Sequence, residues 1–139
     1  MFSLYFDGAS RSNPGPASYG GVIYEDNVER YTYKKYIGST TNNVAEYQAL
    51  LNGLLCAQEK GITNVNVYGD SKLVIEQVTG NWKVNSPLLK PIHREICALL
   101  ATNTFDTITF QHVYRKNNKR ADELANEALD EQLGLGIRA

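Results

Sequence analysis

Three observations predict an α/β fold built on a five-stranded mixed sheet flanked by helices. Short alternating apolar stretches dominate the first 37 residues, the hydrophobic period then lengthens to that of a helix, and two more strand patterns alternate with helical ones. The order is strand, strand, strand, helix, strand, helices, strand, helix. A chain of 139 residues suffices for one domain that buries roughly two-thirds of its unfolded surface, and is too short for two ordinary ones. Residues 1–133 read as that domain, and 134–139 as a tail with no assignable role.

Residues 2–7 suit the first strand, which closes on Phe6-Asp7-Gly8. Asn13-Pro14-Gly15-Pro16 predicts a loop, because proline removes backbone donors and biases its predecessor to extended geometry. Tyr19 to Tyr24 gives a second strand and Val28 to Ile37 a third, with turn chemistry at Glu25-Asp26-Asn27, so these three form an antiparallel meander. Val44, Tyr47, Leu51, Leu54 and Leu55 then recur at helical spacing over about 43–60, with Asn43 and Glu46 placed as a capping box and Gly61 as a stop. Asn64 to Gly69 is the fourth strand, Ser71 to Val78 a short helix, and Ser86-Pro87 opens a helix carrying Ile92, Ile96, Leu99 and Leu100. Thr107 to Tyr114 is the fifth strand. Asn118 begins the last helix, with Ala121, Leu124, Ala125, Ala128 and Leu129 along its apolar line. A right-handed crossover sets strand four parallel to strand one; strand five is expected parallel as well.

Composition narrows the function classes. At 42% hydrophobic and 21% charged residues the chain reads as globular rather than disordered, and no apolar run approaches the roughly 20 residues of a membrane span. The start meets Asp7 before a signal-peptide core forms, so an unexported, cytoplasmic chain is expected. Cys56 and Cys97 sit at apolar helical positions and read as buried reduced thiols, and the scattered His and Cys do not make a zinc site. A net charge of -1 argues against holding nucleic acid through bulk positive charge, while leaving room for a local patch.

Four acids stand where the topology brings chain segments together. Asp7 ends strand one, Asp70 ends strand four, Glu46 lies early in the first helix and Asp122 early in the last. Ligands of such sheets bind outside the carboxyl ends of the parallel strands. Singly, Asp70 reads equally well as a helix cap, Glu46 as half of a capping box and Asp122 as a partner of its helix dipole. Asp7 caps no helix, and Gly8 after it lets a ligand approach the backbone. Clustered carboxylates repel unless protonated or bound to cations. All-oxygen ligation favours a hard ion such as Mg²⁺, and two such ions about 4 Å apart activate water and stabilise the leaving oxygen of a phosphodiester. Without these four, 11 of the 15 acids face 14 bases, so the remainder is mildly basic and suits a polyanionic substrate.

The segments YFDGASRSNPGP, TTNNVAEYQALLNGL, VYGDSKLVIEQVTGNW and NNKRADELANEAL, in this order and spacing, resemble the type 1 ribonuclease H family over nearly residues 2–130. The resemblance implies the ribonuclease H fold and Mg²⁺- or Mn²⁺-dependent endonucleolytic cleavage of the RNA strand of RNA/DNA hybrids, leaving 5′-phosphate and 3′-hydroxyl ends. It implies Asp7, Glu46, Asp70 and Asp122 as metal-binding acids, Asn13, Asn42 and Asn43 as polar contacts across the minor groove, Thr41 and Trp82 as DNA-strand contacts, and Asn118 as a further substrate-binding position. Asn43 reads equally as ordinary cap chemistry, and Trp82 also fits a core position.

Two departures stand out. The basic helical handle that often follows the tryptophan in this family is replaced by Val84-Asn85-Ser86-Pro87, and the short loop Arg115-Lys116-Asn117-Asn118 contains no histidine. Counting ten residues back from Asp122 lands on His112, but its parity with Ile108, Phe110 and Tyr114 assigns it to the strand, packing or hydrogen-bonding beside the sheet rather than swinging to the metals. An exonuclease or junction resolvase on the same fold would share the acids but not the asparagine-rich loops, and a noncatalytic binding module would not cleave with Mg²⁺. A monomer with no obligate protein partner is expected, with the hybrid as its partner and no membrane.

Overall fold

The computed structural model describes residues 1–134; residues 135–139 of the tail lie outside the described residues. Five strands, β1 (Phe2–Ser10), β2 (Gly15–Glu25), β3 (Val28–Thr40), β4 (Asn64–Gly69) and β5 (Thr107–His112), form one sheet in the order β3-β2-β1-β4-β5. The first three are antiparallel neighbours, β4 is parallel to β1, and β5 is parallel to β4. Four helices, α1 (Asn42–Glu59), α2 (Lys72–Val78), α3 (Lys90–Ala101) and α4 (Lys119–Leu133), complete the predicted order. Among the described residues no helix is long and apolar enough to cross a membrane.

The hairpin between β2 and β3 turns at Asp26 and Asn27, both with positive φ (50° and 71°), as a two-residue turn between twisted strands requires. Alternation along β1 sends Leu4 and Phe6 into a core with Leu50, Leu54, Val65 and Val67, against which α1 lies. The opposite face of β1 and β2 receives α4, whose Ala121, Leu124, Ala125, Ala128 and Leu129 are all buried.

Several boundaries move. Gly15 and Pro16 belong to β2 rather than to a loop, with Pro16 opposite Ser39 at the end of the β3 partner strand. Helix α1 is capped by Thr41, whose Oγ1 accepts the Val44 N–H at 3.2 Å, so Asn43 and Glu46 form no capping box. Ser86 opens a single turn, its carbonyl accepting from Leu89 and Lys90, and α3 proper starts three residues later than the Pro87 signal suggests. Strand β5 stops at His112; the chain then makes a 3-10 turn over Arg115–Asn117. The thiols are reduced, but Cys97 is exposed and Cys56 only half-buried, because both lie at the margins of their helices' apolar faces.

Candidate active site

Asp7 does not end its strand. The parallel ladder with β4 stops at Phe6 opposite Gly69, while pairing with β2 continues through Asp7 opposite Gly20. Asp7 is thus the first residue past the β1–β4 ladder, held straight by its other neighbour, and Asp70 follows Gly69 at the matching end of β4. Glu46 comes from the second turn of α1. Gly8 lets that helix approach: a Cβ there would overlap Glu46 N and the Ala45 carbonyl carbon. The glycine therefore serves helix-on-strand contact, and it also lines the cleft beside the acids.

Asp7, Glu46 and Asp70 each present a carboxylate oxygen within 4.8 Å of the others. Asp7 and Glu46 are both only 4% exposed. Burial raises the Asp7 pKa most, followed by the Glu46 charge and a hydrogen bond with it, the Asp70 charge and a hydrogen bond to Asp122. Glu46 is also raised, first by burial and then by Asp70, against the lowering influence of Asp7, the Gly8 N–H and the Arg115 charge. Asp122 therefore reaches the cluster at its Asp7 side, with its Oδ1 accepting from Asn126 Nδ2 at 3.1 Å. Glu46 Oε2 is buried with no hydrogen-bond partner. An orphaned carboxylate oxygen inside an all-oxygen cluster fits a hard divalent cation, which would supply the missing charge and ligand field.

The acids floor a cleft of ≈ 370 Å³ lined also by Asn42, His112 and Arg115. Asn13 Oδ1 accepts the Asn42 N–H at 3.0 Å, which ties the loop after β1 to the start of α1. Thr41 spends one lone pair on its cap and keeps its hydroxyl proton free to donate. Asn43 is exposed beside them. Trp82 lies outside the core, 45% exposed, with Lys72 Nζ 6.0 Å above its ring centroid.

Asn118 departs from the expected substrate contact. It is 1% exposed, its Nδ2 donates to the Phe6 carbonyl at 2.9 Å, and its own carbonyl accepts the Asp122 N–H. One side chain thus pins the start of α4 to the strand residue just before Asp7. His112 keeps the predicted strand parity, is half-buried and hydrogen-bonds beside the sheet, at the end where the acids stand: its Nε2 lies 3.3 Å from the Asp70 carbonyl, a group that can only accept. Parity gives the face of a strand but not the end of the sheet at which a residue stands. Arg115, which the sequence places only in the short loop before the last helix, stands beside Glu46; its position three residues past the end of β5 is the signal that points there.

The reverse transcriptase-like family profile matches residues 5–128. A bifunctional protein of Mycobacterium tuberculosis is 44% identical over 126 residues, 89% of this chain and 34% of that protein. Ribonuclease HI of Halobacterium salinarum is 44% identical over 128 residues, 91% of this chain and 63% of that protein. Thus the chain spans about a third of the mycobacterial relative's length and under two-thirds of the halobacterial one's. The crystal structure of the halobacterial ribonuclease H1 superposes with a TM-score of 0.89 at 44% identity, covering 94% of this chain and 98% of that one. A ribonuclease H1 from compost, LC11, solved in complex with an RNA/DNA hybrid, gives a TM-score of 0.89 at 39% identity over 96% of this chain and 99% of that one.

Proposed function

Because the chain belongs to the ribonuclease H family, we propose that it is an endonuclease hydrolysing the RNA strand of RNA/DNA hybrids, with divalent cations held by Asp7, Glu46, Asp70 and Asp122. The observation that carries this reading is the trio of carboxylate oxygens within 4.8 Å together with the unpartnered, buried Glu46 Oε2. Asp7, Glu46, Asp70 and Asp122 would hold a pair of Mg²⁺ or Mn²⁺ ions, which would supply Lewis-acid activation of a water and charge stabilisation of the leaving oxygen, in keeping with 5′-phosphate and 3′-hydroxyl products.

The chain's own groups supply position. Asp7 and Asp70 are fixed at the same end of the parallel β1–β4 ladder, Glu46 by the close approach of α1 at Gly8, and Asp122 by the Asn118 tie to Phe6. Arg115 offsets part of the negative charge beside Glu46. Asn13, Asn42 and Asn43 at the cleft rim offer amides to the 2′-hydroxyls of a wide, shallow minor groove, and Thr41 and Trp82 offer a phosphate donor and a sugar-sized apolar face to the DNA strand.

Cleavage of matched hybrid, double-stranded RNA and DNA, each with Mg²⁺, Mn²⁺ or chelator, tests the reading. Internal cuts confined to the RNA of the hybrid and abolished by chelator are expected, including in covalently closed hybrids; shortening only from free ends would sink it. The reading includes a cytoplasmic monomer without an obligate protein partner, and light scattering at the mass of one 15.5 kDa chain checks the oligomeric part.

A further inference from the structure

Helix α4 carries Asp122, Asn126 and Asp130 at successive spacings of four, so their side chains stack on one face. Arg11 reaches that face from the turn after β1, where its own N–H donates to the Pro16 carbonyl at 2.9 Å and pins its backbone. Its Nη2 donates to Asp130 Oδ1 at 2.7 Å and to Asn126 Oδ1 at 3.3 Å. Asn126 Nδ2 in turn donates to the Asp122 carbonyl at 2.9 Å and to Asp122 Oδ1 at 3.1 Å. One line of contacts thus runs from an exposed ion pair to an acid of the cluster.

A bond from an asparagine to the carbonyl one turn back is ordinary helix chemistry, and by itself it would explain Asn126. Two features go beyond it. The same Nδ2 also holds a carboxylate oxygen, and the other end of the amide is held by a group that can only donate. A guanidinium has no acceptor, so the amide oxygen must face Arg11 and the amide nitrogen must face Asp122. Both ends therefore agree on one orientation of the amide, and Arg11 keeps it from swinging towards solvent. Asp122 needs such a tether: it is half-buried, and it stands outside the trio of Asp7, Glu46 and Asp70, meeting the cluster through Asp7. Asn118 fixes the start of α4 and hence the Asp122 backbone, but it leaves the side-chain torsions free. Among the described residues the Asn126 amide is the only N–H that reaches this carboxylate.

We infer that Asn126 and Arg11 are positioning residues for the fourth acid: Arg11 sets the direction of the Asn126 amide, and the amide sets the Asp122 carboxylate in the orientation that takes a divalent cation. The inference rests on the reading of the four acids as metal ligands. Mg²⁺ demands near-ideal geometry of its oxygen ligands, so a carboxylate free to rotate binds it less well than one already turned. Partners that orient a metal ligand are typically worth 10–100-fold in metal affinity or activity. Neither Asn126 nor Arg11 has to touch the cation or the hybrid for this effect.

The test compares the wild-type protein with Asn126→Ala, Arg11→Met, Arg11→Lys and the double variant Arg11→Met/Asn126→Ala. Lys34→Gln, which breaks ion pairs to Glu127 and Glu131 of the same helix, is the control. Mn²⁺ is titrated calorimetrically into each metal-free protein, thermal melts are run in chelator, and hybrid cleavage is followed against both Mn²⁺ and hybrid concentration. Asn126→Ala is expected to weaken Mn²⁺ binding about 10–100-fold and to raise the Mn²⁺ needed for half-maximal cleavage in step. Its KM for hybrid should stay within about twofold, and its melt in chelator should move little, because alanine regains in helix propensity part of what the lost bonds remove. Arg11→Met should give a smaller loss, Arg11→Lys should restore the donor-only contact and most of the affinity, and the control should not differ from wild type. The double variant should be no worse than Asn126→Ala, since Arg11 works only through the amide. Wild-type Mn²⁺ binding and half-saturation in Asn126→Ala would overturn the inference, as would additive losses in the double variant or a lower melt in chelator with unchanged Mn²⁺ dependence. A wild type that binds no Mn²⁺ would remove the metal reading and the inference with it. The expected contrast in Mn²⁺ binding by a protein that cuts no hybrid would retain the positioning residues and remove the nuclease reading alone.

Discussion

Replacing Asp70 by Asn should raise the melting temperature of the metal-free protein while destroying its cleavage. The three carboxylate oxygens lie within 4.8 Å, and two unit charges at that spacing repel by about 3.5 kcal/mol at an effective dielectric near 20. Asp70 is half-buried, so solvent screening leaves roughly 1–2 kcal/mol of this to be relieved. With an unfolding entropy of about 2.1 cal/mol/K per residue, 139 residues convert each kcal/mol into about 3 °C, or a gain of about 3–6 °C. Burial and like charge raise the pKa of both Asp7 and Glu46 in the folded state. Acids with raised folded values bind more protons folded than unfolded, so their contribution to stability is full below their ordinary values and declines as pH rises through the folded ones. The gain from Asp70→Asn should therefore be small near pH 5, where both neighbours carry protons, and grow as pH rises through the Glu46 value of about 8, to be large near pH 9. Thermal melts in chelator at these two pH values measure it. Mg²⁺ should stabilise the wild type and close the gap, since a ligand that binds only the folded state adds stability. Cleavage by the variant should fall more than about a hundredfold, beyond the usual cost of losing a group that only supports a metal ligand. Equal or lower melting of the variant at the higher pH, or a gain that ignores pH, would refute the repulsion argument.

Three further outcomes are expected. His112→Ala removes the contact with the Asp70 carbonyl and should cost about 1 kcal/mol in denaturant melts, while the saturated cleavage rate stays within about fivefold rather than falling the roughly 100-fold of a lost general acid or base. Asn118→Ala abandons the buried Phe6 carbonyl and should cost about 1–3 kcal/mol, with an activity loss that hybrid concentration does not rescue, because the residue positions Asp122 instead of touching substrate. Arg115→Gln removes a charge that lowers the Glu46 pKa; the acid limb of the pH–rate profile should move to higher pH, and a profile that shifts the other way would contradict the assigned neighbour.

Element types were legible because each segment has one dominant period, as in the β1 alternation that buries Leu4 and Phe6 or the α4 line of Ala121, Leu124, Ala125, Ala128 and Leu129. Boundaries were less so where two residues competed for one task. Thr41 and Asn43 are both capable caps, and the choice fell to Thr41 because a first turn starting at Asn42 puts Glu46 inward, under Gly8. Gly15 and Pro16 read locally as loop, yet β3 supplies a partner strand as far as Thr40, and a proline can sit in an outer part of such a ladder. The convergence of Asp7, Glu46 and Asp70, with Asp122 at the Asp7 side, was legible from chain order and topology. Asn118 was not, because a buried scaffold amide and a substrate amide look the same in a one-dimensional sequence; only the Phe6 carbonyl beside it distinguishes them.

That distinction bears on how the fourth acid arrives. Asp7, Glu46 and Asp70 converge through the sheet and α1, but Asp122 depends on how closely α4 lies against β1 and β2. Gly20 sets that distance: a Cβ there would stand 2.8 Å from Leu124 Cβ and 2.9 Å from the Ala121 carbonyl oxygen. Ala121 and Ala125 lie on the same contact, and Ser18 Oγ donates to the Ala125 carbonyl, so the helix backbone is held against the strand rather than spaced from it by large side chains. Gly20 is also the β2 partner of Asp7. The small residue that admits α4 therefore sits directly across from the acid that Asp122 must reach, and any bulk added at this point would lift Asp122 from the cluster without touching a carboxylate.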